Sequence, residues 1–489
     1  MKFRTIPILL LLLFLFSRLY NLTLLPIFTD ESIYIYWAKY IAVHNSNFFI
    51  SLTDGKPPLF IWIITLFVKI FPSTWYLVAG RFVSVLAGAI TLFGMYKLSL
   101  LLFKSQRIAL TAAFLGIINS FMLFYDRLAL YDSFLSAMLI WGVYFALRTS
   151  QTLRKRDAFL WGLFLGLALL TKPPAIIFLF LTPICFLLVS KKKNFILPAS
   201  AVIIGVFMQS IQKLSENFQK IQTKNEQFQL PFAILLTSPF LMFGKNIAEI
   251  AQWMIAYYTL PFFVFGVIAI LFLFYKNKTN GAILLLLWLV PIFIFAFVGK
   301  IIFPRYILFT TPYFLIACAF AVELLFFSKY LNVLLKVIVA VVLFFLMLRF
   351  DYYILTNPSF APFPKAEYNQ YISGKPSGYG LDEVFAFLEK ELDQGPRITL
   401  VTQGKFGLFP YAFMLKYWGD KRIEVMPSWI PEKHDFDLYA LSKSSKVYVV
   451  FWEEKIIPKD LPLRLVLEAK KPSSEHSILL TALEDWKSE

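Results

Sequence analysis

The sequence predicts an all-α polytopic membrane bundle that carries a small α/β domain at its C-terminal end. Of its 489 residues, 59% are hydrophobic and only 16% are charged, whereas soluble domains are about 45–50% apolar and about 25% charged. Most charges fall between long apolar stretches, as lipid-spanning helices require. A soluble fold would expose these stretches to water, so we expect lipid to cover much of the surface.

Apolar stretches close to span length recur along the first 350 residues. A transmembrane helix needs about 20 apolar residues, which predicts about eleven spans here. The further apolar stretch 57–71 is either a twelfth span or an interfacial helix of the first outer loop. The predicted spans are 5–21, 80–103, 108–125, 131–148, 157–171, 174–190, 194–210, 251–275, 281–299, 306–327 and 331–350.

Basic residues in alternate connections predict the orientation. The positive-inside rule assigns these connections to the cytoplasm, and the assignment is consistent at every short loop if eleven helices cross and 57–71 does not. The N-terminus is then a cytoplasmic, uncleaved signal anchor, since no small-residue cleavage site follows its apolar stretch. The basic groups are Lys2/Arg4, Lys104/Arg107, Arg148/Arg154/Lys155/Arg156, Lys191/Lys192/Lys193, Lys276/Lys278 and Lys329.

The chain changes character after the last predicted span. Residues 351–380 are interrupted by several prolines, which is typical of a linker. Alternating helix-like and strand-like segments follow, so 381–489 is predicted to be an α/β domain attached to a transmembrane domain of residues 1–350. With eleven spans this domain lies on the extracytoplasmic face. The absence of a C-terminal retention signal favours a prokaryotic plasma membrane.

Acidic residues stand at the predicted outer ends of the helices. Asp30 and Glu31 follow the first span, and Asp30 is either the N-cap of the next helix or a general base at the membrane interface. Asp126, Arg127 and Asp132 occupy the turn before the fourth span, where an ordinary capped turn with an ion pair would also explain them.

Cations stand at the same outer ends, where the topology does not require them. Lys56 and Lys172 each precede a proline pair, and the residue before proline avoids the helical region, so each ammonium group has a fixed direction. Arg305, followed by Tyr306, precedes the tenth span. Lys56 could simply be a snorkelling interface lysine beside a proline at a helix start. Together with the acids, these cations would suit transfer from a lipid phosphate, because an acid accepts a hydroxyl proton while cations hold the leaving phosphate.

Other kinds of site have weaker support. The net charge of +17 resides largely in the short loops, so we expect contacts with lipid rather than with nucleic acid. Cys185 and Cys318 fall inside apolar spans, which argues against a disulfide framework. No metal ligand is assigned, and a carboxylate site for Mg²⁺ or Mn²⁺ stays open.

The order of these motifs resembles the membrane glycosyltransferases of the GT-C fold, in particular the protein O-mannosyltransferase and aminoarabinose transferase superfamily (glycosyltransferase families 39 and 83). The family's acidic pair after the first helix is matched by Asp30-Glu31, and its Lys-Pro-Pro-Leu segment by Lys56 to Leu59. Its Asp at the start of the fourth helix is matched by Asp132. Its Thr-Lys-x-Pro turn is matched by Thr171 to Pro174, and its late Arg-Tyr with a following proline by Arg305, Tyr306 and Pro312.

The resemblance covers residues 1–350 and implies a polyprenyl-phosphate sugar donor, inversion at the anomeric carbon and Asp30 as the base. The acceptor is a protein, lipid or glycan hydroxyl. The aminoarabinose branch has an acidic residue where this chain has Gly55, so that branch's metal site and substrate do not carry over. The residues expected to bind substrate are Glu31, Lys56, Asp126, Arg127, Asp132, Lys172, Arg305 and Tyr306.

Two other classes of function are compatible with a polytopic chain. A transporter or lipid flippase would place charged residues near mid-span in broken helices, whereas most charges here stand at helix ends. A non-catalytic scaffold for the C-terminal domain would need no cluster of acids and cations. The glycosyltransferase is therefore the preferred hypothesis.

Overall fold

The computed structural model describes residues 5–191, 194–429, 444–452 and 461–484, together with Ser442 and Ile457. Helices dominate the chain up to residue 393. They are α1 (Ile6–Leu19), α2 (Thr29–His44), α3 (Leu59–Ile70), α4 (Tyr76–Phe103), α5 (Gln106–Ile117), α6 (Ser120–Tyr125), α7 (Tyr131–Thr152), α8 (Lys155–Leu169), α9 (Ile176–Val189), α10 (Ile196–Gln209), α11 (Lys220–Phe228), α12 (Phe232–Thr237), α13 (Phe243–Tyr258), α14 (Leu260–Lys276), α15 (Lys278–Val298), α16 (Thr311–Phe326), α17 (Val333–Thr356), α18 (Lys365–Tyr368) and α19 (Leu381–Asp393).

Every predicted span overlaps at least one of these helices, but their lengths differ. Among the described residues, five helices are long and apolar enough to cross a membrane, or up to six if one bent pair is a single span. The count of eleven therefore stays a prediction. Four of the basic residues used for the orientation, Lys2, Arg4, Lys192 and Lys193, lie outside the described residues, and the orientation also stays a prediction.

The predicted span 251–275 is wrong as a single helix. It contains the end of α13 and most of α14, whose axes meet at 107°. Thr259, between them, has a positive φ of 64°. Pro261 explains the break, because proline has no N–H to donate and its ring would clash with the carbonyl four residues earlier. Hydropathy could not reveal the bend, since both helices are apolar.

The stretch 57–71 forms α3 in the connection between α2 and α4. With 12 residues, α3 is about 18 Å long, too short for a hydrocarbon core of about 30 Å. It packs against α2 and α4, and Phe60, Ile61 and Ile64 are fully buried there. We therefore interpret α3 as an interfacial helix rather than a twelfth span.

The C-terminal part is an α/β domain, as predicted. A second helix, α20 (Leu408–Lys416), follows β1, and the sheet has the order β2-β1-β3-β5-β4. Strands β1 to β3 are parallel, and β5 pairs antiparallel with β3 and β4. The strand-like segments of the sequence, 397–402, 422–426 and 446–451, correspond to β1 to β3, whereas β4 and β5 were not predicted. The strands are β1 (Ile398–Gln403), β2 (Ile423–Ser428), β3 (Lys446–Phe451), β4 (Leu463–Lys470) and β5 (Ser477–Leu483).

This domain packs on α2, the helix that carries Asp30. Tyr411 of α20 stacks on Tyr36 with ring centroids 4.3 Å apart. The predicted linker also contacts this helix, because the backbone N–H of Thr29 donates to the Pro376 carbonyl at 3.0 Å. The start of α2 is therefore held between the bundle and the C-terminal domain.

Candidate active site

A cavity of about 500 Å³ lies where the predicted outer ends of the helices meet. Its charged wall is assembled from the start of α2, the turn before α3, the start of α7, the turn between α8 and α9, α11 and the turn before α16. Six of the predicted site residues line it: Asp30, Lys56, Asp132, Lys172, Arg305 and Tyr306. The fold thus brings together residues that are up to 276 positions apart in the sequence.

Asp30 stands in the first turn of α2 between two cations. Its carboxylate lies 3.0 Å from the Arg305 guanidinium and 3.5 Å from the Lys56 ammonium. Burial raises the pKa of Asp30, but Lys56 and then Arg305 outweigh burial and bring that pKa down to about 2. Asp30 is therefore ionised at neutral pH and faces the cavity.

The alternative of Asp30 as a helix cap does not fit this geometry. Helix α2 begins at Thr29, and the carboxylate of Glu31 accepts the N–H of Phe28 at 3.0 Å. Glu31 thus supplies the side-chain half of a capping box, and Asp30 is left for the cavity.

Lys172 and Asp132 form a second charged pair on the cavity wall. The Lys172 ammonium donates to Asp132 at 2.6 Å and lies 4.5 Å from the centre of the Tyr306 ring. Burial lowers the pKa of Lys172, and Asp132 opposes that change. The extended backbone at Lys172, before Pro173, directs the side chain back across the turn.

One further charged residue of the cavity lining, Lys224, was not among the predicted ones. Lys224 of α11 donates to Asp54 at 2.7 Å, and the second oxygen of Asp54 lies 3.4 Å from Lys56. Helix α11 comes this close because Gly55 has no side chain, since a Cβ there would overlap the Lys220 carbonyl oxygen. Residues 211–230 are polar and rich in Gln, Lys and Asn, a composition that predicts an exposed loop with a short helix and does not reveal that Lys224 lines the cavity.

The cavity has a charged end and an apolar side. The lining carries four cationic side chains and two carboxylates, which leaves two net positive charges, from Lys56, Lys172, Lys224 and Arg305 with Asp30 and Asp132. The apolar side is formed by α9 and the end of α15, including Ile176, Ile177, Ile294, Phe295 and Val298. Such a cavity suits an anionic headgroup attached to an apolar chain.

Glu31 does not line the cavity, so its predicted contact with substrate is corrected. It is fully buried and accepts two hydrogen bonds of 2.8 Å from Arg81, which is also fully buried. It accepts a third, at 2.7 Å, from the N–H of Ala129. This residue fastens α2 to α4 and to the turn before α7.

Asp126 and Arg127 are likewise turned away from the cavity. The Asp126 carboxylate lies 3.3 Å from the buried Arg18 guanidinium. Arg127 donates to the carbonyl oxygens of Ser17, Arg18, Tyr20 and Asn21 at 2.7 to 3.0 Å. Since a helix end leaves its last carbonyls without partners, Arg127 caps α1, and both substrate-binding predictions are corrected to structural roles.

A divalent metal does not fit this donor set. Each cavity carboxylate already contacts a lysine or an arginine at 2.6 to 3.5 Å. Throughout the described parts of the chain, no group of three or more His, Cys, Asp or Glu residues could hold a metal ion. Mg²⁺ and Mn²⁺ require several oxygen ligands, so the mechanism below uses side chains alone.

The chain is similar in sequence to one protein family and in structure to solved membrane proteins. Residues 55–211 match the family model of dolichyl-phosphate-mannose-protein mannosyltransferase. No curated protein matches the chain. The apo structure of ArnT from Cupriavidus metallidurans is similar with a TM-score of 0.54 and 12% identity, over 98% of this chain and 97% of that one. ArnT from the same organism bound to undecaprenyl phosphate gives the same score and identity, over 97% of each chain. The chain is therefore an integral membrane protein with the GT-C fold that the order of its motifs predicted.

Proposed function

We propose that this protein is an inverting glycosyltransferase that moves a hexose or pentose from a polyprenyl-phosphate donor to an acceptor hydroxyl on the extracytoplasmic face. The main support for this proposal is the cavity, in which Asp30 contacts Lys56 and Arg305 and lies beside an apolar wall. The match of residues 55–211 to a dolichyl-phosphate-mannose-dependent family and the similarity to ArnT bound to undecaprenyl phosphate support the donor class.

In the proposed reaction, Asp30 accepts the proton of the acceptor hydroxyl as that oxygen attacks the anomeric carbon. The bond between this carbon and the phosphate oxygen breaks on the opposite face of the sugar, which inverts the configuration. The phosphate leaves with the bonding electrons. Lys56, Lys172, Lys224 and Arg305 hold the negative charge that develops on it.

A carboxylate whose pKa is about 2 is a weak base, so the donor itself must activate Asp30. When the phosphate enters, Lys56 and Arg305 divide their charge between it and Asp30, which raises the pKa of the carboxyl group. The donor thereby generates the base that its own transfer needs.

The pH dependence of the reaction tests this activation. Because kcat reports on the enzyme with donor bound and kcat/KM on the free enzyme, kcat should begin to fall at a higher pH than kcat/KM as the medium is acidified. Initial rates between pH 4 and 8, at limiting and saturating donor, measure both. If kcat and kcat/KM fell at the same pH on acidification, the proposal that the donor phosphate and Asp30 share the charge of Lys56 and Arg305 would be wrong.

The function is tested with purified protein in proteoliposomes, supplied with labelled polyprenyl-phosphate hexoses or pentoses and an envelope acceptor extract. The expected result is transfer of label to the acceptor, which also reveals whether protein, lipid or glycan carries the hydroxyl. Movement of labelled donor between leaflets with no transfer from any donor would instead indicate a flippase. A labelled nucleotide sugar serves as the control and should give no transfer.

Lys224→Met should raise the KM for the donor by roughly tenfold, because one charge-assisted hydrogen bond to phosphate contributes about 1.5–3 kcal/mol. Lys220→Met is the matched control, since Lys220 lies on the same helix but its exposed side chain does not line the cavity. Initial rates at varied donor concentration measure both. Equal donor KM values for the two variants would show that Lys224 does not bind the donor phosphate.

A further inference from the structure

A row of buried polar side chains continues from Arg305 away from the cavity. The guanidinium of Arg305 donates to the Tyr371 hydroxyl at 3.5 Å. The ring of Tyr371 packs edge-to-face against that of Tyr125 with centroids 6.3 Å apart. The Tyr125 hydroxyl then donates to Glu367 at 2.6 Å.

Glu367 ends this row inside the protein. Only 1% of its surface is exposed, and within the described part of the chain its second carboxylate oxygen has no hydrogen-bond partner. Burial raises the pKa of Glu367 to about 8, against the opposing effects of Tyr125 and Arg305. At pH 7 the carboxyl group is therefore mostly protonated.

A neutral acid at this position has a cost that packing alone does not explain. Removing a carboxyl group from water is unfavourable unless both of its oxygens gain hydrogen-bond partners, and within the described residues one oxygen of Glu367 gains none. An apolar side chain would fill the same space between α6 and the segment 365–373 without that cost. At the other end of the row, Arg305 contacts Asp30 at 3.0 Å. Arg305 is therefore the residue whose position the buried carboxyl group can stabilise.

We propose that Glu367 is a positioning residue that fixes Tyr125 and Tyr371, and through them holds Arg305 against Asp30 and the donor phosphate. The inference rests on the proposed function. As a neutral acid, Glu367 leaves the charge of Arg305 to Asp30 and the phosphate. If it ionised, its negative charge would compete for Arg305 and draw the guanidinium away from the cavity.

Several charged or titratable side chains surround Glu367 and interact with its carboxyl group. Tyr125 and Tyr257 face it from α6 and α13, and Tyr371 faces it from its own segment. Arg305 and Asp132 also act on it from the cavity side. Glu367 has a pKa of about 8, so a change near pH 8 that disappears in Glu367→Gln belongs to its carboxyl group.

The test compares Glu367→Leu and Glu367→Gln in two measurements, binding of a polyprenyl phosphate to the purified protein and transfer kinetics between pH 6 and 9. Glu367→Leu is expected to weaken binding and raise the donor KM by roughly tenfold at pH 7, because Arg305 loses its fixed position. Glu367→Gln, whose amide stays neutral and still accepts from Tyr125, should restore both values. The wild type should lose affinity above pH 8, and Glu367→Gln should not.

Tyr313→Phe is the matched control for a Tyr125→Phe variant. Both hydroxyls are buried, but that of Tyr313 has no hydrogen-bond partner within the described residues. Tyr125→Phe should reproduce the effect of Glu367→Leu, and Tyr313→Phe should have none. If Glu367→Leu binds the lipid phosphate as the wild type does, or Glu367→Gln keeps the loss above pH 8, this inference fails. A wild type that binds but transfers no sugar would refute the proposed function instead.

Discussion

Asp30→Asn is expected to lower kcat for sugar transfer by at least about a hundredfold, within the usual contribution of a general base. Asparagine has nearly the same shape and can still accept a hydrogen bond from Arg305, but it cannot take a proton from the acceptor. The contacts of Arg305 and Lys56 with this position, at 3.0 and 3.5 Å, should survive in weakened form. The measurement is the initial rate in proteoliposomes at saturating donor.

Asp393→Asn is the matched control for this change. Asp393 is exposed at the end of α19 and takes no part in the cavity. Asp393→Asn should unfold at the wild-type temperature, and Asp30→Asn should remain folded at the assay temperature, so that a loss of rate in Asp30→Asn reports on the chemical step. An Asp30→Asn protein that is folded and fully active would show that another group is the base and that Asp30 only neutralises Arg305 and Lys56.

Arg81→Met is expected to lower the free energy of unfolding by about 3–5 kcal/mol, because removing one partner leaves the other as an unpaired buried charge. Arg81 and Glu31 are both fully buried and bonded at 2.8 Å. Arg81 also donates to the carbonyls of Leu22 and Leu25 at 2.7 and 2.8 Å, which would lose their donor. The stability is measured by chemical denaturation in detergent.

Arg397→Met supplies the comparison for an exposed pair. Arg397 lies 3.5 Å from Glu424, and more than half of each side chain is exposed, so its loss should cost about 1 kcal/mol or less. Replacing Arg81 and Glu31 together should recover only part of the stability, because Glu31 also accepts the N–H groups of Phe28 and Ala129. Equal effects of Arg81→Met and Arg397→Met would refute the role assigned to the buried pair.

Much of the candidate site follows from the sequence because membrane topology restricts where residues can lie. Helix ends that emerge on one side of a bilayer are neighbours, whatever the loops between them. Asp30, Lys56, Asp132, Lys172 and Arg305 could therefore be grouped before any coordinates, and all of them line one cavity. The integral membrane class and the GT-C fold followed in the same way from apolar stretches and the order of motifs.

Which of two adjacent residues faces the cavity depended on packing. Successive residues on a helix point about 100° apart, so only one of Asp30 and Glu31 can enter the site. Their sequence gives no means of choosing. The guanidinium of Arg81, 50 residues further along the chain, holds Glu31 in the core and leaves Asp30 in the cavity.

Long-range contacts decided the remaining features. The residues 211–230 and 351–380 are polar or rich in proline, a composition that predicts exposed segments, yet Lys224 reaches Asp54 and Glu367 is buried against Tyr125. The sequence by itself determined that the chain enters a membrane and which charged residues lie near the helix ends that form the cavity, because hydropathy and charge act locally. Only the tertiary structure decided which of those charges face the cavity and which hold helices together, because that depends on partners distant in the chain.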